Sequence, residues 1–98
     1  MDMVRFVWDD RKAESNIRKH GVSFEEASTV FFDENAIEYF DPDHSEDEER
    51  FLLLGLSRKM RPLVVSYCYR QSDRFIRIIS ARKAKTTEMK TYEGRLRS

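Results

Sequence analysis

Cysteine is nearly absent from this 98-residue chain: Cys68 stands alone, so no internal disulfide can form. A lone thiol fits a reducing compartment, and its simplest expected role is that of a small buried hydrophobe in a strand. With two histidines and that one cysteine, no tetrahedral zinc spacing exists. The three glycines build neither a Gly-rich phosphate loop nor a nucleophile elbow. Asp41, Asp43 and Ser45 imitate the opening of a calcium loop, but Glu46 takes the required glycine position and Leu52 that of the bidentate glutamate. No apolar run approaches the ~20 residues of a membrane span. The opening Met1-Asp2-Met3-Val4-Arg5 lacks the basic region and the apolar stretch of a secretion signal. Repeats and low-complexity segments are missing too. Together these absences predict a cytoplasmic protein that uses no metal, no nucleotide cofactor and no membrane.

What the chain does hold is charge and aromatic bulk. Charged residues make up 37 % and hydrophobic ones 40 %, a globular balance. The length predicts one domain over residues 1–98. A chain this short buries roughly 60–68 % of its unfolded surface, so seven Phe, four Tyr and one Trp matter to a small core. The formal net charge of zero is a cancellation between halves. Residues 1–49 carry 15 Asp/Glu and 5 Lys/Arg, a net of −10; residues 50–98 carry 3 and 13, a net of +10. A surface built from the later part of the chain is therefore expected to be positive and to meet RNA or an acidic protein.

The residue pattern predicts the order βααββββα. Arg5 to Asp9 reads as a short aromatic strand. Asp9 then caps a helix through His20, with Ala13, Ile17 and His20 on one face and Gly21 as its left-handed stop. Ser23 and Glu26 form a capping box for a second helix with a core stripe of Phe24, Ala27, Val30 and Phe31. Strands follow at 36–40, 49–57, 63–70 and 74–82. An acidic loop separates the first two, a turn at 58–62 comes next, and a tight connection lies at 71–73. Hairpin spacing makes these an antiparallel meander, so the fold class is α+β: an antiparallel sheet of about five strands with helices packed against it. Thr86 or Thr87 caps a last helix carrying Met89, Tyr92 and Leu96.

The strand from Arg74 to Lys83 carries the chemistry. Simple alternation puts Arg74, Ile76, Ile78, Ser80 and Arg82 on one face, and Phe75, Arg77, Ile79, Ala81 and Lys83 on the other. Cations thus mix with apolar residues on both faces. A guanidinium on a rigid strand loses little freedom in gripping a phosphate and can bond two of its oxygens. Tyr67 and Arg70 on the preceding strand add to the group, and phosphate grip with base stacking suits single-stranded RNA. RNA supplies its own nucleophile, the 2′-hydroxyl. An enzyme need only take its proton, offset the phosphorane's charge and protonate the leaving oxygen, none of which needs a metal. Glu49, His44, Tyr67 and Tyr92 are the available proton carriers.

Lys19-His-Gly-Val-Ser-Phe-Glu-Glu-Ala27, Asp47-Glu-Glu-Arg-Phe51 and Arg77-Ile-Ile-Ser-Ala-Arg-Lys-Ala84 resemble the successive signatures of BrnT toxins. The opening Phe6-Val-Trp-Asp9 and the closing Glu88 and Tyr92 join them, so the resemblance covers nearly the whole chain. It implies a RelE-like fold and a ribonuclease that halts translation. It also implies a BrnA-type antitoxin that binds DNA, with the pair assembling as a heterotetramer that represses its own operon. Carried onto this sequence, the matching polar residues are Glu49, Arg50, Tyr67, Arg70, Arg77, Ser80, Arg82 and Lys83. The implied roles are phosphate and transition-state charge for Arg77 and Arg82, proton transfer for Tyr67 or Glu49, and RNA binding for Arg50, Arg70, Ser80 and Lys83. His20 lies in a matching motif but at a helix end, where capping or packing is expected of it. Two other readings stay open: a non-catalytic partner acting only within a DNA-binding autoregulatory complex, and an RNA-binding module that does not cut.

Overall fold

The structure is a computed structural model that describes residues 4–45, 48–71 and 74–98. Met1 to Met3, Glu46, Asp47 and the Ser72–Asp73 part of the expected tight connection lie outside the described residues.

Five strands form one sheet: β1 (Arg5–Val7), β2 (Ile37–Asp41), β3 (Arg50–Leu56), β4 (Pro62–Arg70) and β5 (Phe75–Lys83). They lie side by side in the order β1-β5-β4-β3-β2. The four later strands make the expected antiparallel meander. The first does not follow the pattern: β1 runs parallel to β5, from Arg5 beside Phe75 to Val7 beside Arg77. The sheet is therefore mixed, which corrects the all-antiparallel expectation. A parallel neighbour needs a long crossover, and here two helices and three strands separate β1 from β5 in sequence.

Helix α1 (Asp10–His20) is capped as expected, with the Asp9 carboxylate accepting from the amides of Arg11 and Lys12. Its stop is Gly21, at φ +67°, whose amide donates to Ile17 at 2.8 Å. The inward residues are Ala13 and Asn16, while Ile17 is half exposed. Asn16 is buried for a reason rooted in sheet geometry. Strand β1 covers only Phe75–Arg77 of β5, so the outer edge of β5 is bare farther along. Asn16 takes the place of the missing strand there. Its Oδ1 accepts from the Ala81 amide at 3.1 Å, and its Nδ2 donates to the carbonyls of Ala81 at 2.8 Å and Val22 at 2.9 Å.

Helix α2 (Phe24–Thr29) continues into a 3₁₀ turn at Val30–Phe32. Only half of its capping box forms. Ser23 Oγ accepts from the Glu26 amide at 3.0 Å, but the Glu26 side chain turns inward instead of back. Glu26 is 1 % exposed and is held by the Arg61 guanidinium and by Ser57 Oγ, which donates at 2.6 Å. Ser57 and Arg61 both belong to the turn between β3 and β4, so Arg61 has a structural place there.

Helix α3 (Thr86–Leu96) crosses the opposite face of the sheet. Its first turn is closed by Glu88, which accepts from the Lys85 amide at 2.7 Å, so the cap is Lys85 rather than either threonine. Of the expected stripe only Tyr92 is buried; Met89 and Leu96 remain exposed. The Tyr92 hydroxyl donates to Asp33 Oδ2 at 2.6 Å, and the same oxygen accepts from the Leu56 amide at 2.8 Å. Asp33 thus ties the 3₁₀ turn, β3 and α3 together. Gly55 leaves room for it: a Cβ there would sit 2.9 Å from Asp33 Oδ2 and 3.0 Å from the side chains of Ala36 and Val30.

Two apolar layers result. On one face Leu53, Leu63, Val65, Tyr67, Ile76, Ile78 and Ala81 pack with Val22, Phe24, Ala27 and Val30 beneath α1 and α2. On the other, Leu54, Val64 and Tyr92 make a smaller cluster under α3. That helix covers only part of its face, and the uncovered part holds the candidate site. No helix among the described residues is long and apolar enough to cross a membrane.

Candidate nucleic-acid interface

Position on the sheet follows from one irregularity. Between Ser66–Tyr67 of β4 and its partners on β5 the register shifts, with Ser66 opposite Ser80 and Tyr67 opposite Ile78. Ile79 is the extra residue of a bulge. Beyond a bulge the alternation changes phase. Arg77, Ser80 and Arg82 therefore all belong to the α3 face, while Ile76, Ile78, Ala81 and Lys83 belong to the helix-packed face. This corrects the strict alternation expected from sequence, which separated Arg77 from Arg82.

Register extends the set across the sheet. Arg77 lies opposite Cys68, and Cys68 opposite Arg50, so the two arginines flank a buried cysteine in one cross-strand row. Two strand spacings put their Cα atoms ~10 Å apart. Beside Arg77 an open cleft of about 480 Å³ is lined by Val7, Trp8, Asp9, Arg70, Gln71 and Phe75 as well. Trp8 is fixed edge-on against Phe24, which gives the cleft a rigid aromatic wall.

The cations differ in how they are engaged. Arg82 is clamped by both Glu88 oxygens, at 2.8 and 2.9 Å, and this holds the Glu88 carboxyl down at about 2. Among the described residues Arg70 makes only a 3.7 Å ion pair, with Glu48. Arg50 has a buried Nε with no hydrogen-bond partner among the described residues. Arg77 forms no ion pair among the described residues, yet it is near enough to Asp9 to help lower that carboxyl's pKa, after the amide of Lys12 as the larger cause. Both amides at Asp9 go to Oδ1, and Asp9 is one of the residues lining the cleft. Burial raises the Cys68 thiol, so it stays protonated and inert between the arginines.

The remaining expected site residues fall elsewhere. Tyr67 is 1 % exposed on the helix-packed face, among Phe31 and Phe51, with its hydroxyl on Glu38. It does not reach the arginine row. Tyr92 is bound to Asp33, and burial pushes its hydroxyl up to about 12. His44 pairs with Asp41 at 3.0 Å beyond β2. Glu49 is exposed at the head of β3, next to Arg50, and Lys83 is exposed at the far end of β5. His20 is exposed at the end of α1. Asp9 and Trp8 were read as strand and cap only. Their place in the cleft comes from β1 pairing with β5, a long-range contact that no local pattern announces. Among the described residues no group of three His, Cys, Asp or Glu side chains is placed to hold a metal.

A mixed five-stranded sheet with helices on both faces and a cross-strand arginine row beyond α3 defines a small α+β domain. The family described as "Ribonuclease toxin, BrnT, of type II toxin-antitoxin system" matches residues 8–88, from the cleft's Trp8 to Arg82's partner Glu88. The chain belongs to this family of ribonuclease toxins. The crystal structure of the Brucella abortus ribonuclease toxin BrnT shares the fold, with a TM-score of 0.63 at 23 % identity over 86 % of this chain and 100 % of that one. No curated protein matches the chain.

Proposed function

We propose that this chain is a metal-independent endoribonuclease whose active surface is the row of Arg50 and Arg77 with the adjoining cleft. The observation that carries the reading is the state of Arg77: a partly buried residue of β5 that shares a cleft with Arg70, with no carboxylate in an ion pair with it among the described residues. Such a group is preorganised to meet developing negative charge.

In the proposed reaction the 2′-oxygen attacks the adjacent phosphorus while the bond to the 5′-oxygen breaks. One strand then ends in a 2′,3′-cyclic phosphate and the other in a 5′-hydroxyl. Arg77 and Arg70 hold the phosphate and offset the phosphorane's added charge, and Arg50 binds a neighbouring part of the backbone. The 2′-hydroxyl proton goes to a carboxylate, Asp9 in the cleft or Glu49 beside Arg50, and the leaving oxygen takes one back. The lowered pKa makes Asp9 a weak base, so charge stabilisation carries more of the rate. Ser80 lines the same face as a hydrogen-bonding neighbour. Arg82, clamped by Glu88, positions α3 rather than touching RNA, and Tyr67 supports the core; Lys83 is left without a site role.

The cellular part of the proposal follows the family. Cleavage inhibits translation in the cytoplasm, and a BrnA-type antitoxin silences the toxin as a heterotetramer, with operator DNA bound only through the antitoxin. The relation to RelE-like folds belongs to the same proposal and is supported by the antiparallel meander of β2 to β5 with α1 and α2 packed on one face and α3 on the other. Expression of the chain should arrest growth, and Arg77→Ala should relieve the arrest at equal protein level. Full toxicity of that variant would move the active surface elsewhere; RNA left intact by micromolar purified protein would favour the non-catalytic partner reading.

A further inference from the structure

Strand β2 ends the sheet, and its outer backbone edge pairs with no described strand. Open edges are usually shielded by lysines, prolines or a covering loop. This one instead presents Tyr39 at 41 % and Phe40 at 51 % exposure, one toward each face. On the α3 face the edge adjoins a groove of about 320 Å³ with Tyr39, Leu52, Leu54 and Val64 as its apolar lining and Thr87, Glu88 and Thr91 of α3 along its polar side. On the other face Phe40 lies against Phe51, and Glu38 sits beside it, accepting from the hydroxyls of Tyr67 and Tyr69.

Charge selects the occupant. From Gly21 to Glu49 the chain has no Lys or Arg and 11 Asp/Glu. β2 itself contributes Glu38 and Asp41 and no cation, so this edge repels phosphate and attracts a cationic peptide. It is also the margin farthest from β1, whose end helps form the arginine cleft.

We propose that the open edge of β2 is the docking strand for an extended segment of the antitoxin, which adds a sixth strand to the sheet. In that segment apolar side chains alternate with Lys or Arg. The apolar set enters the groove under α3, and the cations face Glu38 and stack on Phe40. The inference rests on the toxin–antitoxin reading for its partner but not on the nuclease chemistry. Asp41 at the end of β2 neighbours Arg50, but β2 lies three strands from Arg77, so this contact anchors the partner without itself filling the cleft.

The test is hydrogen exchange on the full-length chain, free and in complex with the antitoxin co-expressed beside it. Amides of Ile37–Asp41 should exchange at least tenfold more slowly in the complex. The double variant Tyr39→Lys/Phe40→Lys should bind the antitoxin at least 100-fold more weakly, with RNA cleavage unchanged. Added salt should weaken the wild-type complex. Unchanged exchange across β2 in a formed complex overturns the proposal, and that measurement needs no variant to fold. Protection of β2 by the chain alone, rising with its concentration, would assign the edge to a second copy and overturn it as well. If β2 is protected by the antitoxin while wild-type protein leaves RNA intact, the docking strand stands and the nuclease reading falls.

Discussion

Arg77 and Arg82, five residues apart on β5, lie on the same face of the sheet. An odd separation in a regular strand puts two residues on opposite faces; the bulge at Ile79 reverses that. The two arginines nevertheless have different duties, because Glu88 holds Arg82 and no described carboxylate pairs with Arg77.

That difference predicts separable effects of truncation. Arg77→Ala should lower RNA cleavage by about 10²–10³-fold, the range for loss of one preorganised charge-stabilising group, with an unchanged melting temperature. Arg82→Ala should instead loosen α3 and lower the melting temperature, with a smaller effect on cleavage. Parallel melting curves and initial rates separate the two.

Asn16 should be among the costliest polar side chains to lose. Asn16→Ala leaves the Ala81 amide and two carbonyls without partners at a bare strand edge. A loss of about 2–4 kcal/mol is expected in urea unfolding. Asn16→Asp should fare no better, since a carboxylate cannot donate to the two carbonyls.

Acid should destabilise the fold through Glu26 and Glu88. Arg61 hydrogen bonding holds Glu26 below its usual value, and Arg82 holds Glu88 at about 2 against an ordinary 4.5. A depressed carboxyl contributes stability that is fully present above the unfolded value and lost as pH falls through the folded one. Stability should therefore decline from about pH 5 downward, with the Glu88 share lost between about 4.5 and 2. Glu88→Gln and Glu26→Gln should each flatten the decline, as read by urea unfolding from pH 7 to pH 3.

Gly55→Ala tests the junction at Asp33. The added methyl meets a carboxylate oxygen and two side chains at 2.9–3.0 Å, so something must shift. A cost of about 1–3 kcal/mol is expected in thermal or urea unfolding, with faster hydrogen exchange of the α3 amides reporting a loosened helix.

Local chemistry made much of the fold legible. The Asp9 cap, the Gly21 stop and the hairpin-spaced strands β2 to β5 follow from short patterns and recur in the structure. Long-range features did not show. Glu26 looked like the far half of a capping box because its inward partner, Arg61, is 35 residues away. The direction of β1 depends on where β5 lies, and the bulge at Ile79 depends on packing from both faces. The arginines could be named from sequence, but which of them would be neutralised by a neighbour could not. Tyr67 is the plainest case: an aromatic hydroxyl beside Arg70 in sequence, it points into the core on the other face.

The most direct measurement is the chemistry at the new 3′ ends. Single-stranded RNA is incubated with purified protein in excess chelator, and the products are resolved by mass. The account predicts 2′,3′-cyclic phosphate ends from the wild-type chain and almost none from Arg77→Ala. Equal yields from the two proteins, or ends carrying a 3′-hydroxyl, would contradict it.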